Sequence, residues 1–357
     1  MGITKRLLCV AVLCLVSALA LAACGSGGST TDDSTTASGG EATEAAGGGG
    51  GEAKPESTGI VVGHVSPNLS NPTLGALNLG QQEAAADLGW NVRTLDAALS
   101  PEKQVTSLET LLNLKVNAIT TWTLDPGAVE GSYKQISDAK VPLVGFNSKS
   151  EFINTNVETE LSSSCKPFEA EAAYIAKQVP GAEVLIVGPP PVPPLEMRQH
   201  CFETAAKKEG LSVLESQDNL EDSSSKSQVL VQSMLTAHPD AQAIWSYNDP
   251  SALGASAALQ AVGKTIWSGE NEGVIVIGNN GEPTAISALK EGTLTLTYDE
   301  NTFEAGVEAI NVLAPVLKEG KPASSMPKKV WVKSTMYDAE NVDEYVPPAN
   351  REVQVGG

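Results

Sequence analysis

From Ile60 onward the sequence alternates short apolar runs with longer segments of helical spacing, and at Ala182 the alternation starts again. Such a pattern is satisfied by parallel βαβ units, because a parallel neighbour needs a crossover long enough to hold a helix. The first series predicts strands at 60–65, 92–95, 118–121 and 142–146. The second predicts strands at 182–187, 211–214, 242–246 and 273–277. Helix punctuation falls between them. Pro72 opens a helix carrying Leu74, Leu77 and Ala84, and Gly89 closes it. Ser100-Pro101 supplies an N-cap and a first-turn proline ahead of Val105, Leu108, Leu111 and Leu112, while Gly210 and Gly263 end two later helices. Two successive open α/β units imply two similar lobes with a cleft between them.

Ligands of such sheets gather at the carboxyl ends of the strands. The residues found there are Ser66 to Pro72, Trp122-Thr123-Leu124-Asp125, Asn147-Ser148, Gly188 to Pro191, Asn248-Asp249 and Asn279-Asn280-Gly281. Amides and hydroxyls with one indole suit a neutral polyhydroxy ligand, held by directional hydrogen bonds and an aromatic face. No nucleophile stands beside a base, so no catalytic residue is assigned and the chain is expected not to be an enzyme. A hydrolase using Asp125, Asp249 and Glu300 is the weaker alternative, since no motif fixes an acid–base pair. Gly263-Lys264-Thr265 follows a helix and lacks the earlier glycine of a phosphate loop. His64, His200 and His238 are the only histidines and form no ligand spacing, so neither a metal nor a cofactor is expected.

The N-terminus reads as an address. Lys5 and Arg6 precede an apolar stretch, Leu7 to Leu21, too short to span a membrane comfortably. Leu21-Ala22-Ala23-Cys24 then resembles the lipobox of bacterial lipoproteins, which implies a signal peptide over 1–23 and a lipid on Cys24. Residues 24–57 are mostly Gly, Ser, Thr, Ala and Glu without an apolar period, a flexible tether. The chain has 23 Lys and Arg against 43 Asp and Glu, a net charge of −20, which excludes a nucleic-acid partner because phosphate binding needs a basic face. The folded body keeps two cysteines, Cys165 and Cys201. In an exported protein this pair can form a disulfide or remain two buried thiols.

Several segments, taken together and in order, resemble the type I periplasmic binding proteins of the ribose-binding kind. They are Asn71-Pro72, Val141-Pro142-Leu143-Val144, Leu235 to Asp240, Asn248-Asp249, Ala252-Leu253-Gly254-Ala255, Val276-Ile277-Gly278 and Ala288 to Gly292. The resemblance runs from about Gly59 to Tyr345. It implies two Rossmann-like lobes joined by three crossover segments and closing on a ligand by a hinge. The chain would leave the first lobe near Leu161, return near Asn301 and cross again near Lys329. The N-terminal lobe would then hold 58–161 and 302–328, and the C-terminal lobe 162–301 and 329–357.

Carried over position by position, the resemblance keeps the first-loop Asn as Asn71 and the Asn of the Asn-Asp pair as Asn248. The two aromatics of the first loop are replaced by Thr73 and Leu74, and the Asp-Arg after the fourth strand by Asn147-Ser148. The helix arginine is replaced by Glu196, with Arg198 two residues on. The later Asp is Asn280, the hinge Gln is Glu300, and Asp222 falls near a further aromatic position. Trp122 is a candidate for the lost stacking. The expected ligand contacts are therefore Asn71, Trp122, Asn147, Glu196, Asn248, Asn280 and Glu300.

The reading is a monomeric, lipid-anchored, extracytoplasmic binding protein of an ABC importer. It captures a small polar, sugar-like solute and delivers it to a permease in the membrane. The alternative is a receptor for a polyol, amino-sugar or cationic solute, met by Glu196, Asp222 or Glu300, that serves a signalling partner.

Overall fold

The computed structural model describes residues 58–269 and 271–355. The expected signal, the lipid site Cys24 and the tether lie outside the described residues. The first lobe begins β1 (Val61–Ser66), α1 (Pro72–Asp87), β2 (Asn91–Asp96), α2 (Pro101–Asn113) and β3 (Ala118–Trp122). It continues with α3 (Pro126–Asp138), β4 (Leu143–Phe146) and β5 (Thr155–Thr159). A single turn, α4 (Glu160–Ser163), leads into the second lobe. There follow α5 (Lys166–Gln178), β6 (Glu183–Gly188), α6 (Pro193–Lys208), β7 (Ser212–Asp218), α7 (Ser224–Ala237) and β8 (Ala243–Ser246). Next come α8 (Asp249–Ala261), β9 (Ile275–Asn280), α9 (Pro283–Lys290) and β10 (Leu296–Asp299). Helix α10 (Thr302–Glu319) and β11 (Lys329–Val332) return to the first lobe, and β12 (Thr335–Asp338) lies in the second.

The two sheets share one plan. The first is ordered β11-β5-β4-β3-β1-β2 and is parallel throughout; the second is ordered β12-β10-β9-β8-β6-β7, with only β12 antiparallel. In both, the strand order reverses beside the lobe's first strand, between β1 and β3 and between β6 and β8. Loops leave in opposite directions at such a switch point and open a crevice. Both faces of each sheet are covered, as an all-parallel sheet requires. Alternate residues of one strand serve the two faces: Ile244 joins one core of the second lobe and Trp245 the other. The helix signals act as read. Ser100 Oγ accepts from the Lys103 N–H, and Gly89, Gly210 and Gly263 hold positive φ where three helices end.

Helix α10 packs on α1 at backbone contact. A Cβ added at Gly306 would lie 2.2 Å from the Leu77 carbonyl oxygen, and one at Gly80 would lie 2.0 Å from that of Phe303. These two glycines allow the returning helix to seal the first lobe's core.

Two details differ from expectation. β11 pairs in parallel with β5, so the third crossing falls between Val332 and Thr335 rather than at Lys329. Hydrogen bonding to β5 satisfies this strand's backbone before the chain turns. The tail also crosses once more. Val342 belongs to a core of the second lobe, whereas Val353 and Val355 pack on the first. Between them Arg351, only 9% exposed, pairs with Asp299 at the end of β10 and with Glu304 on α10 at 2.8 Å.

The crossings are bonded to one another. Leu161 N–H donates to Ser334 Oγ at 3.1 Å, joining the first to the third. Asn301, in the left-handed region at φ 55°, donates through Nδ2 to the Lys333 carbonyl at 2.7 Å, joining the second to the third. The hinge is thus a small hydrogen-bonded block rather than three independent strings.

Candidate solute-binding cleft

The strand ends of the two lobes meet beside the hinge, where Thr159 at the end of β5 donates to Glu300 just after β10 at 2.6 Å, and the side chains gathered there are the candidate floor of a cleft. At its centre is an ion pair. Arg198 on α6 donates from Nη2 to Glu300 Oε2 at 3.1 Å, and both side chains are almost out of solvent, 3% and 2% exposed. A buried pair of this kind persists only when further hydrogen bonds satisfy the remaining donors and acceptors. Here they do. Glu300 Oε1 accepts from the Thr159 hydroxyl at 2.6 Å and from the Ser162 hydroxyl at 2.5 Å, which bracket the first crossing. Arg198 donates from Nη1 to Asn280 Oδ1 at 2.9 Å and to the Tyr247 carbonyl at 3.4 Å. Its Nη2 also reaches Ser162 Oγ at 3.1 Å, while its buried Nε has no partner.

Two amides extend this network to either side. Asn147, at φ 45° after β4, donates to Thr159 Oγ1 at 3.1 Å and accepts from the Thr159 N–H at 2.9 Å. Asn248 caps α8 by accepting from the Ser251 N–H at 3.0 Å, and donates to Asp222 Oδ1 at 2.5 Å. The Tyr247 hydroxyl donates to that same oxygen. Burial first, then the Asp222 carboxylate, pushes the Tyr247 hydroxyl far above its ordinary range, so it stays a neutral donor. Asn280 at φ 115°, Asn147 and Asp222 at φ 50° are non-glycine residues with positive φ, and all three belong to this network. Such backbone cost concentrates where side chains must be aimed.

Four of the seven expected contacts, Asn147, Asn248, Asn280 and Glu300, therefore belong to one network. Asn71 caps α1, its Oδ1 accepting from the Leu74 N–H at 3.1 Å, and the next two residues, Pro72 and Thr73, line one pocket with Asn280. Trp122 ends β3 half-buried against the first lobe's core, and its carbonyl accepts from Gln104 at 2.7 Å. Glu196 is not brought in; it is exposed on the first turn of α6. Arg198 occupies the inward position in its place. The signal was present in the helix itself. The buried residues Arg198, Cys201, Phe202 and Ala205 fall on one stripe, and Glu196 lies off it. Thr159, Ser162 and Tyr247 were missed because their roles depend on the hinge bringing distant segments together.

Other acids are spoken for. Asp125 caps α3 through the Gly127 N–H at 2.8 Å. Asp249 is buried, accepts from Thr297 Oγ1 at 2.6 Å and the Glu282 N–H at 2.7 Å, and burial raises its carboxyl well above the usual range. Glu282, beside Asn280, is pushed by burial up to about 7. Cys165 and Cys201 form a disulfide, with Cα atoms 5.2 Å apart. It joins the segment just after the first crossing to α6, one turn beyond Arg198.

Comparison with known proteins gives the same frame. Residues 62–322 match the model of the periplasmic binding protein domain. The chain belongs to this family. The ribose import binding protein RbsB of Salmonella typhimurium is 30% identical over 266 residues, covering 74% of this chain and 86% of that protein. Its Bacillus subtilis counterpart is 29% identical over 287 residues, covering 78% and 90%. Among solved structures, the Caulobacter myo-inositol binding protein superposes with a TM-score of 0.70 at 21% identity, over 81% of this chain and 97% of that one. A solute binding protein of Actinobacillus succinogenes with bound D-allose also gives 0.70 at 21%, over 80% and 100%. At these identities the structural likeness bears on the fold alone, which is that of the type I periplasmic binding proteins.

Proposed function

We propose that this protein is the extracytoplasmic solute receptor of an ABC importer and captures a neutral sugar or polyol between its lobes. One observation carries the reading. Arg198, the cation at the centre of the network, is paired with Glu300, and its other side-chain partners are the Asn280 amide and the Ser162 hydroxyl. With its central charge cancelled by the ion pair, a network of directional donors and acceptors suits the hydroxyl groups of a neutral solute. The relatives are named for ribose import, and the solved neighbours hold D-allose and myo-inositol.

The cationic or amino-sugar alternative loses its acids. Glu300 is bound to Arg198, Asp222 already accepts two hydrogen bonds on Oδ1, and Glu196 faces solvent. A catalytic role finds no free acid–base pair among Asp125, Asp249 and Glu300, each engaged in structural bonds. The protein acts by binding. Hinge closure buries the solute, and the closed form is what a membrane permease receives. In this reading the body is a monomer, held at the membrane by a lipid on Cys24 and a tether long enough to let it turn.

A thermal-shift screen tests the proposal. A ligand at a hundred times its Kd stabilises by about 2.7 kcal/mol. Neutral aldoses and cyclitols should raise the melting temperature, and amino acids and polyamines should not. A melt moved only by cationic solutes would overturn the reading.

A further inference from the structure

The guanidinium of Arg198 faces two acceptors, one a neutral amide and the other a carboxylate. Its Nη1 donates to Asn280 at 2.9 Å and its Nη2 to Glu300 at 3.1 Å. These acceptors stand at the ends of adjacent parallel strands, since Asn280 pairs in register with Asp299, the neighbour of Glu300. A carboxylate at either place would neutralise the arginine. Here it is on the hinge side, where Thr159 and Ser162 hold its other oxygen. On the strand-end side, a neutral amide is aimed at the arginine from a positive-φ backbone. The unpartnered, buried Nε–H is left to find an acceptor.

From this arrangement we propose that Glu300 determines the charge selectivity of the cleft. By holding the charge of Arg198 within the hinge, it restricts the solute to neutral molecules. Without it the arginine accepts a carboxylate, and the protein binds sugar acids. The proposal rests on the reading of the cleft as a site for neutral polyhydroxy solutes.

The physical reason is competition for one cation. A solute carboxylate brought to Arg198 in the intact protein would stand beside the Glu300 carboxylate, and like charges sharing a low-dielectric site repel strongly. A hydroxyl oxygen on the free Nε–H meets no such penalty. With Glu300→Gln the arginine loses the carboxylate hydrogen-bonded to it and becomes a buried cation that draws in an anion of suitable size. Asp222, Glu282 and Glu171 are not hydrogen-bond partners of Arg198: the Asp222 carboxylate accepts from Tyr247 and Asn248, that of Glu282 bonds Asn280, and that of Glu171 accepts from the Trp245 indole, burial keeping it protonated.

The test compares wild type, Glu300→Gln and the double variant Asn280→Asp with Glu300→Gln, which returns a carboxylate to the guanidinium from the other side. Calorimetric titrations use D-ribose, myo-inositol, D-ribonate and D-glucuronate. In parallel, each protein is melted in sodium formate and in sodium chloride at equal ionic strength. The Glu300→Gln protein should shift its preference towards the acids by tenfold or more, and formate should raise its melting temperature more than chloride does. Wild type and the double variant should do neither, and the double variant should recover most of any melting temperature lost by the single one. An unchanged acid-to-neutral ratio together with no formate-specific shift in Glu300→Gln would overturn the proposal. So would a double variant that behaves like the single one. If none of the neutral probes binds any of the proteins, the sugar reading fails, while the formate melts and the recovery still decide the role of Glu300.

Discussion

Reducing the bridge between Cys165 and Cys201 is expected to weaken both the fold and the site. The bridge closes a loop with a sequence separation of 36, for which the chain-entropy relation gives about 3.8 kcal/mol at 25 °C. Measured losses often fall below that relation, so the expected range is about 2 to 4 kcal/mol. The geometry adds a local consequence. Cys165 stands two residues after Ser163, where α4 ends, and Cys201 lies one turn beyond Arg198 on α6. The bridge therefore ties the first crossing to the helix that supplies the cleft's cation. Urea unfolding with and without a thiol reductant, followed by tryptophan fluorescence, measures the global term. Reduction should lower the midpoint and raise the slope, because an unlinked chain exposes more surface when unfolded. Calorimetry on the reduced protein should also show weaker solute binding. Coincident unfolding curves, or two thiols titrating in the native unreduced protein, would refute the reasoning.

Four further perturbations probe particular parts of the structure. The buried carboxyl of Glu171, which accepts from the Trp245 indole at 2.6 Å, is raised by burial to about 8, so the folded state holds a proton that the unfolded state releases near 4.5. Stability should therefore fall as pH rises from about 4.5 to 8, by a few kcal/mol at most, and Glu171→Gln should remove that slope in pH-dependent denaturant melts. His64 has the opposite sign: burial lowers it to about 4, so its contribution is present above 6.5 and is lost as pH falls towards 4. Gly306→Ala should force α10 away from α1, costing about 1 to 3 kcal/mol of stability, and leave less folded protein in circular dichroism melts. Arg351→Met should remove the tie between Asp299 and Glu304, lower the melting temperature by several degrees and widen the interlobe distance distribution measured by paired spin labels.

Much of this architecture was legible because the pattern that encodes it is local. Apolar runs of strand length, the Ser100-Pro101 helix start and glycines at helix ends need only near neighbours to act. The site was legible where a residue's role follows from its place at a strand end, as for Asn147, Asn248 and Asn280. It was misread at α6. There the reading followed distance along the chain from the proline-rich loop, whereas the buried stripe of Cys201, Phe202 and Ala205 turns Arg198 inward. Glu300 was found, but not its partners. Thr159, Ser162 and Arg198 come from segments 102 to 141 residues away. The last crossing left no trace of periodicity, because the tail is held by one arginine and two valines among prolines and polar residues.

A co-crystal structure with the most stabilising neutral sugar or cyclitol tests the central claim most directly. The solute should lie between the lobes with its hydroxyls on Asn71, Asn147, Asn248 and Asn280 and one oxygen within hydrogen-bond distance of Arg198 Nε, the Glu300 pair remaining intact. A solute bound outside the cleft, or one that separates Arg198 from Glu300 to make its own ion pair, would contradict it.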